Sequence, residues 1–245
     1  MLAEARVGTT GFAYREWVGS VYPRGLAQAE LLQLYAQRLA AVEIASTAGR
    51  SLSPEQFASW ASVVPPGFQF ALKAPSRVGQ ELRLGKPAAR AFHGFLEAAT
   101  ELGEHLGPIL IQVSEAMKPD RHALAEFLNA VPHGLRLAFE LPDPAWHDAA
   151  TLRLLSAHEA ALVLSDAGEE MPRLELTAGF AYVRLRRDDE TLDAWAERLA
   201  LLTRRGVDVY AFLKHDRKGQ SLDRAARLSS LLRTETQLGD QHVLS

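Results

Sequence analysis

Short apolar runs alternate along the chain with longer stretches in which apolar residues recur at helical spacing. The runs predict strands over residues 6–10, 41–44, 68–73, 109–113, 135–141, 161–166, 180–185 and 208–213. The periodic stretches predict helices over 27–39, 54–63, 87–105, 121–130, 148–158, 192–205 and 220–234. Punctuation supports several of them. Ser53 before Pro54 reads as an N-cap followed by proline at the first helical position. Asp120 is placed to cap the helix that ends near Pro132, and Arg204-Arg205-Gly206 supplies cations and then a C′ glycine.

Strand–helix alternation repeated along the whole chain implies parallel pairing with right-handed crossovers. Eight such units in 245 residues match the usual size of a (β/α)₈ (TIM) barrel, about 250 residues. The expected architecture is therefore a single α/β domain over 1–245, a TIM barrel. One unit is irregular: few residues separate the sixth and seventh strands, Pro172 among them, and no full helix is expected there. No Gly-x-Gly-x-x-Gly follows the first strand, which removes the main reason to prefer an open dinucleotide-binding sheet. No motif specifies a cofactor.

Alternation within strands assigns faces. Gln69, Ala71 and Lys73 fall on one face of the third strand, opposite Phe68, Phe70 and Leu72. Arg136, Ala138 and Glu140 share a face of the fifth, and Tyr182 and Arg184 a face of the seventh. Glu43 ends the second strand, Gln112 the fourth and Asp166 the sixth; Thr9 and Thr10 end the first, and Lys214, His215 and Asp216 follow the eighth. The C-terminal strand ends of such a barrel carry its functional residues. Charged groups there need a partner or a ligand, because burying an unpaired charge is costly. The candidate proton-handling residues are Glu43, Glu140 and Asp166. The candidate ligand contacts are Thr10, Tyr14, Trp17, Ser46, Lys73, Gln112, Arg184 and His215. Mutual neutralisation of these charges in a structural network is the competing account.

The three carboxylates with His215 also form a conceivable set for a hard divalent cation, but Lys73 and Arg184 nearby oppose it, and no metal is expected. Lys73 and Arg184 suit a phosphate or carboxylate instead. Tyr14 and Trp17 form either a ligand-stacking wall or a hydrophobic plug. Trp60 and Trp195 lie on apolar helix faces and are expected in the core. His93, His105, His122 and His158 fall within helices and are expected at the surface or at helix ends.

Composition narrows the partners. The chain has no cysteine, so disulfides, thiolate catalysis and Cys-ligated metals are excluded. The net charge of -3 disfavours general nucleic-acid binding, although Arg186, Arg187, Arg217 and Lys218 could form a local patch. The first residues lack an apolar signal core, and no apolar run reaches membrane-spanning length, so a cytoplasmic protein without membrane association is expected.

The segments carrying these residues resemble the YecE-like family, domain of unknown function 72. The resemblance runs through Val7-Gly8-Thr9-Thr10-Gly11-Phe12-Ala13-Tyr14 with Trp17 and Tyr22-Pro23, then Val42-Glu43-Ile44-Ala45-Ser46-Thr47, and Pro65-Pro66-Gly67-Phe68 leading to Phe70-Ala71-Leu72-Lys73-Ala74. It continues through Leu106-Gly107-Pro108-Ile109-Leu110-Ile111-Gln112, Ala138-Phe139-Glu140 with Trp146, Tyr182-Val183-Arg184-Leu185, and Val209-Tyr210-Ala211-Phe212 with His215-Asp216. It implies a (β/α)₈ barrel and carries no assigned reaction. The sequence departs from the family pattern at Ala45, Ala48-Gly49, Pro75-Ser76-Arg77, Pro142-Asp143 and Arg186-Arg187, so two His, one Asn and one Arg of the family rim are absent. Two functions follow as expectations: an enzyme acting on a small anionic, phosphorylated or sugar-like substrate, or a non-catalytic ligand- or partner-binding barrel.

Overall fold

The computed structural model describes residues 3–45, 52–168, 170–187 and 191–243, with side chains described up to 235. Strands β1 (Ala5–Thr9), β2 (Ala41–Ile44), β3 (Gln69–Lys73), β4 (Leu106–Gln112) and β5 (Leu137–Glu140) alternate with helices α1 (Gln28–Ala36), α2 (Pro54–Ala61), α3 (Gly85–Ala99) and α4 (Arg121–Ala130). After α5 (Ala149–Ala157) come β6 (Ala161–Leu162), β7 (Leu164–Ser165), β8 (Phe180–Leu185), α6 (Leu192–Arg204), β9 (Asp208–Leu213) and α7 (Gln220–Val243). The pairing is parallel, in the orders β1-β9-β8-β7 and β2-β3-β4-β5-β6. The fold is thus α/β with parallel sheets, as the alternation requires.

The expected sixth strand is a correction: it is two short pieces, Ala161–Leu162 on β5 and Leu164–Ser165 on β8. Among the described residues no helix lies between Ser165 and Phe180. Its place is taken by a loop whose Thr177 hydroxyl donates to the Ala160 carbonyl (2.6 Å) and accepts from the Leu162 amide (2.8 Å). A hydroxyl supplying both a donor and an acceptor satisfies two strand-end backbone groups that a helix would otherwise cover. The expected third helix, 87–105, is also corrected: it is α-helical only to Ala99 and continues as a 3₁₀ turn over Thr100–His105, broken at Gly103.

The local signals act as the sequence implies. Ser53 accepts from the Gln56 amide with Pro54 following, Asp120 accepts from the Ala123 amide, and Gly206 takes φ +81° after α6. Trp60 and Trp195 are buried. His105, expected at the surface or a helix end, is buried at the end of its 3₁₀ turn and bonds the Phe68 carbonyl at 2.9 Å.

The chain divides into two compact units: residues 1–43, 164–174 and 179–245, and residues 44–163 with 175–178. The second unit is built around Phe92, Phe127 and Phe139, packed edge to face with centroids 5.6 and 6.1 Å apart, and closed by Leu124, Leu155 and Trp146. In the first unit, β1 approaches β2 so closely that a Cβ on Gly8 would lie 2.0 Å from the Ala41 carbonyl oxygen. Only glycine fits there. The buried Tyr35 hydroxyl locks this approach, accepting from the Thr9 amide (2.8 Å) and donating to the Ala41 carbonyl (3.0 Å). Burial, only partly offset by the Thr9 bonds, pushes its phenol far above the ordinary value. Among the described residues, no helix is long and apolar enough to cross a membrane.

Candidate functional site

The first unit gathers polar side chains at the C-terminal ends of its strands. Glu43 is the centre. Its backbone joins the end of β1 through the Thr10–Glu43 bridge and accepts from the Gly11 amide at 2.7 Å. Its side chain is fully buried. The Tyr182 hydroxyl donates to Oε2 at 2.8 Å, and Arg184 Nη2 donates to Oε1 at 2.9 Å. Both donors stand two residues apart on β8, as the face assignment requires.

This contact also reports curvature. From β2 the unit runs through β1 and β9 to β8, three inter-strand steps. At about 4.8 Å per step these would span roughly 14 Å on a flat sheet. Tyr182 and Arg184 touch Glu43 because this face is strongly concave. A buried carboxylate held by a guanidinium and a hydroxyl has its charge balanced and its orientation fixed.

A second group sits on the segments that follow β1 and β9. Tyr14 is half-buried and donates its hydroxyl to the Thr10 carbonyl. Burial pushes its phenol above 10, against the Thr10 bond and with added repulsion from the carboxylates of Glu43 and Glu16. Its ring stacks on His215, with centroids 3.6 Å apart at 23°. The His215 amide donates to Thr10 Oγ1 at 3.0 Å, and His215 Nε2 lies 3.3 Å from Glu16 Oε1. Trp17 is fully buried, and its Nε1 donates to the Asp216 carbonyl at 2.8 Å. Trp17 is thus enclosed, whereas Tyr14 keeps partial exposure.

Close packing fixes this arrangement. A Cβ on Gly219, which has φ +78°, would meet Val21 Cγ2 at 2.2 Å. Asp216 accepts from the amides of Lys218, Gln220 and Ser221 at the start of α7. Burial raises its carboxyl, but these backbone donors outweigh that and hold it below the ordinary value. Asp166, buried, accepts from the Arg186 amide at 2.5 Å, while its own amide points to the Arg184 carbonyl. It is thereby tied to the backbone at the end of β8.

In the second unit Gln112 and Glu140 face each other in the β4–β5 register, and Gln112 Nε2 donates to Glu140 Oε2 at 2.8 Å. Both are half-buried. Lys73 ends β3 opposite Leu110 and is half-buried. Ser46 lies outside the described residues. Among the described residues, no group of three or more His, Asp or Glu is placed to hold a metal ion.

Two contributors were missed. Tyr182 had a signal, since it shares a strand face with Arg184, but a tyrosine in an apolar run reads first as core. Glu16 had none: it lies in an irregular segment, and only the fold brings it to His215.

The comparisons agree with this fold. A family model described as "Protein of unknown function DUF72" matches residues 6–243. The solved structure of a DUF72 family protein from Thermotoga maritima superposes with a TM-score of 0.79 at 25% identity, covering 94% of this chain and 99% of that one. A DUF72 family protein from Enterococcus faecalis gives 0.74 at 18% identity, over 94% and 98% of the two chains, a likeness that shows the fold alone. No functionally curated protein matches the sequence. With nearly its whole length matched, the chain belongs to the DUF72, or YecE-like, family.

Proposed function

We propose that the C-terminal strand ends bind a small anionic ligand, phosphorylated or sugar-like, and that the chain is an enzyme acting on it. The observation that carries this reading is the clamp on Arg184. A fully buried Glu43 fixes its guanidinium at a strand end, with Tyr182 holding the other carboxylate oxygen. A guanidinium held in one orientation loses little freedom when it pairs with an oxyanion. In this reading Asp166 handles protons in the first unit; in the second, Gln112 orients Glu140, which handles protons, and Lys73 adds positive charge. Glu43 changes role from the expected acid or base: both its oxygens already accept hydrogen bonds, so it positions Arg184.

The same reading takes the strands as one (β/α)₈ barrel and the chain as a single domain. The contact between β2 and β8 side chains supports it, because only a strongly curled sheet allows that contact.

A specific observation favours a second reading, non-catalytic ligand binding. The most buried carboxylate of the set is engaged on both oxygens, and Asp166 is tied to the Arg186 amide. Thermal unfolding against inorganic phosphate, phosphorylated sugars and small carboxylates tests the binding. A ligand at 100 times its Kd stabilises by about 2.7 kcal/mol. The shift is expected to shrink in Lys73→Ala. In Glu140→Gln, turnover of the ligand so found should be lost with binding kept. Turnover unchanged in that variant sinks the role of Glu140, and binding without turnover in the native protein favours the second reading.

A further inference from the structure

We infer that the ligand of the first unit's strand ends carries two linked anionic groups, as a diphosphate does, and that Lys214 binds the second; this rests on the reading of those strand ends as an anion site. β8 and β9 run side by side in register, with Arg184 beside Phe212 and Leu185 beside Leu213. The rings of Tyr182 and Phe212 lie 5.2 Å apart, so Phe212 shares the face on which Tyr182 and Arg184 reach Glu43. The ladder continues one residue past β9, where the Lys214 amide donates to the Leu185 carbonyl at 2.8 Å. Side chains alternate along extended backbone, which assigns Lys214, two residues beyond Phe212, to that same face. Two residues along and one strand across put the Arg184 and Lys214 backbones roughly 8 Å apart. Side chains of this length converge on adjacent phosphates from such a separation, the guanidinium as a fork and the ammonium as a point charge.

The charges favour two anionic groups over one. Glu43 already counters the Arg184 guanidinium, so a multiply charged ligand needs further cations. Lys214 is exposed and forms no ion pair among the described residues. The described carboxylates of the neighbouring segments are engaged elsewhere. Asp216 accepts from the amides of Lys218, Gln220 and Ser221, Asp166 from the Arg186 amide, and Glu16 lies against His215. A second exposed cation leaves the sheet beside Lys214: Arg186 and Lys214 each directly follow one of the paired residues Leu185 and Leu213. Like charges on neighbouring strands repel, and an anion between them replaces that repulsion with attraction. A lone phosphate on Arg184 leaves both of these cations to water, whereas a second phosphate linked to the first meets them.

The test uses the full chain and two probes, inorganic phosphate and inorganic pyrophosphate, with binding followed by calorimetry at one fixed ionic strength. Pyrophosphate should bind the native protein at least about tenfold more tightly than phosphate, the worth of one further hydrogen bond to a charged group. Lys214→Ala, a change at an exposed side chain, should weaken pyrophosphate by about tenfold and bring its affinity down toward that of phosphate. Lys218→Ala, at another exposed lysine of the same connection, should change either affinity by less than about twofold, as for an unpaired surface charge. Equal affinity for the two probes in the native protein overturns the inference and spares the anion site. A preference for pyrophosphate that survives Lys214→Ala overturns it as well. So does an equal loss in Lys218→Ala, which would mean diffuse attraction rather than a bound group. No binding of either probe overturns the anion site and this inference together.

Discussion

Glu43 lies one residue before the end of β2 and Glu140 ends β5; in sequence they look alike, each following apolar residues. The fold treats them differently. Glu43 is fully buried, with a hydroxyl on one oxygen and a guanidinium on the other. Glu140 is half-buried and takes a neutral amide from Gln112. A charge removed from water requires a countercharge and donors on its lone pairs, and meeting that requirement makes it rigid. A carboxylate left partly in water needs less from its partners. The comparison locks the first into a cluster and leaves the second partly in water.

The largest expected effect breaks the anchor. Arg184→Met leaves Glu43 buried without its countercharge and should cost about 3–5 kcal/mol in urea unfolding. Replacing Glu43, Tyr182 and Arg184 together by Leu, Phe and Met should recover most of that loss, because apolar residues of similar volume need no countercharge. A triple variant as unstable as Arg184→Met would show that the loss comes from packing rather than charge.

Next comes Tyr182→Phe, which strips a donor from a buried carboxylate oxygen. Equilibrium unfolding should show a loss of about 1–3 kcal/mol. Loss near zero would mean that the oxygen finds a replacement donor, and that the cluster is less rigid than its geometry.

The contrast predicts much less at Glu140. Glu140→Gln keeps the shape and an acceptor oxygen, and in equilibrium unfolding it should cost less than Tyr182→Phe. A loss as large as that of Tyr182→Phe would erase the distinction between the two carboxylates.

The smallest effect concerns an exposed carboxylate outside both groups. Backbone and hydroxyl hydrogen bonds from Thr151, aided by Arg121, hold the Asp148 carboxyl at about 2. An ordinary unfolded aspartate titrates near 3.9. A depressed folded value contributes stability above the unfolded value and loses it as pH falls toward the folded one. Acid unfolding of Asp148→Asn should therefore lack the part of the native pH dependence that lies between about pH 4 and 2; identical curves would show that Asp148 carries none of it.

Local features were legible in the chain. The bounds of β2, β8, β9 and α4 coincide with the predicted ones, and the caps at Ser53, Asp120 and Gly206 work as read. These depend on neighbours within a few residues, where strand alternation and orphaned helix amides leave few choices. The face assignment of Tyr182 with Arg184 followed from the same period of two. The sixth strand misled, because an apolar run does not say which neighbour each residue pairs with. Val163 accordingly separates two short strands with different partners.

By itself, the sequence determined the order of elements, the parallel α/β class and the polar residues at strand ends. Those follow from periodicity, and periodicity is local. Only the tertiary structure decided that Glu43 is clamped by Tyr182 and Arg184, 139 and 141 residues away, and that Glu16 meets His215. No spacing encodes such meetings. They depend on how far the sheet curls and where two loops pack, and those are set by the sum of many side-chain contacts rather than by any one segment.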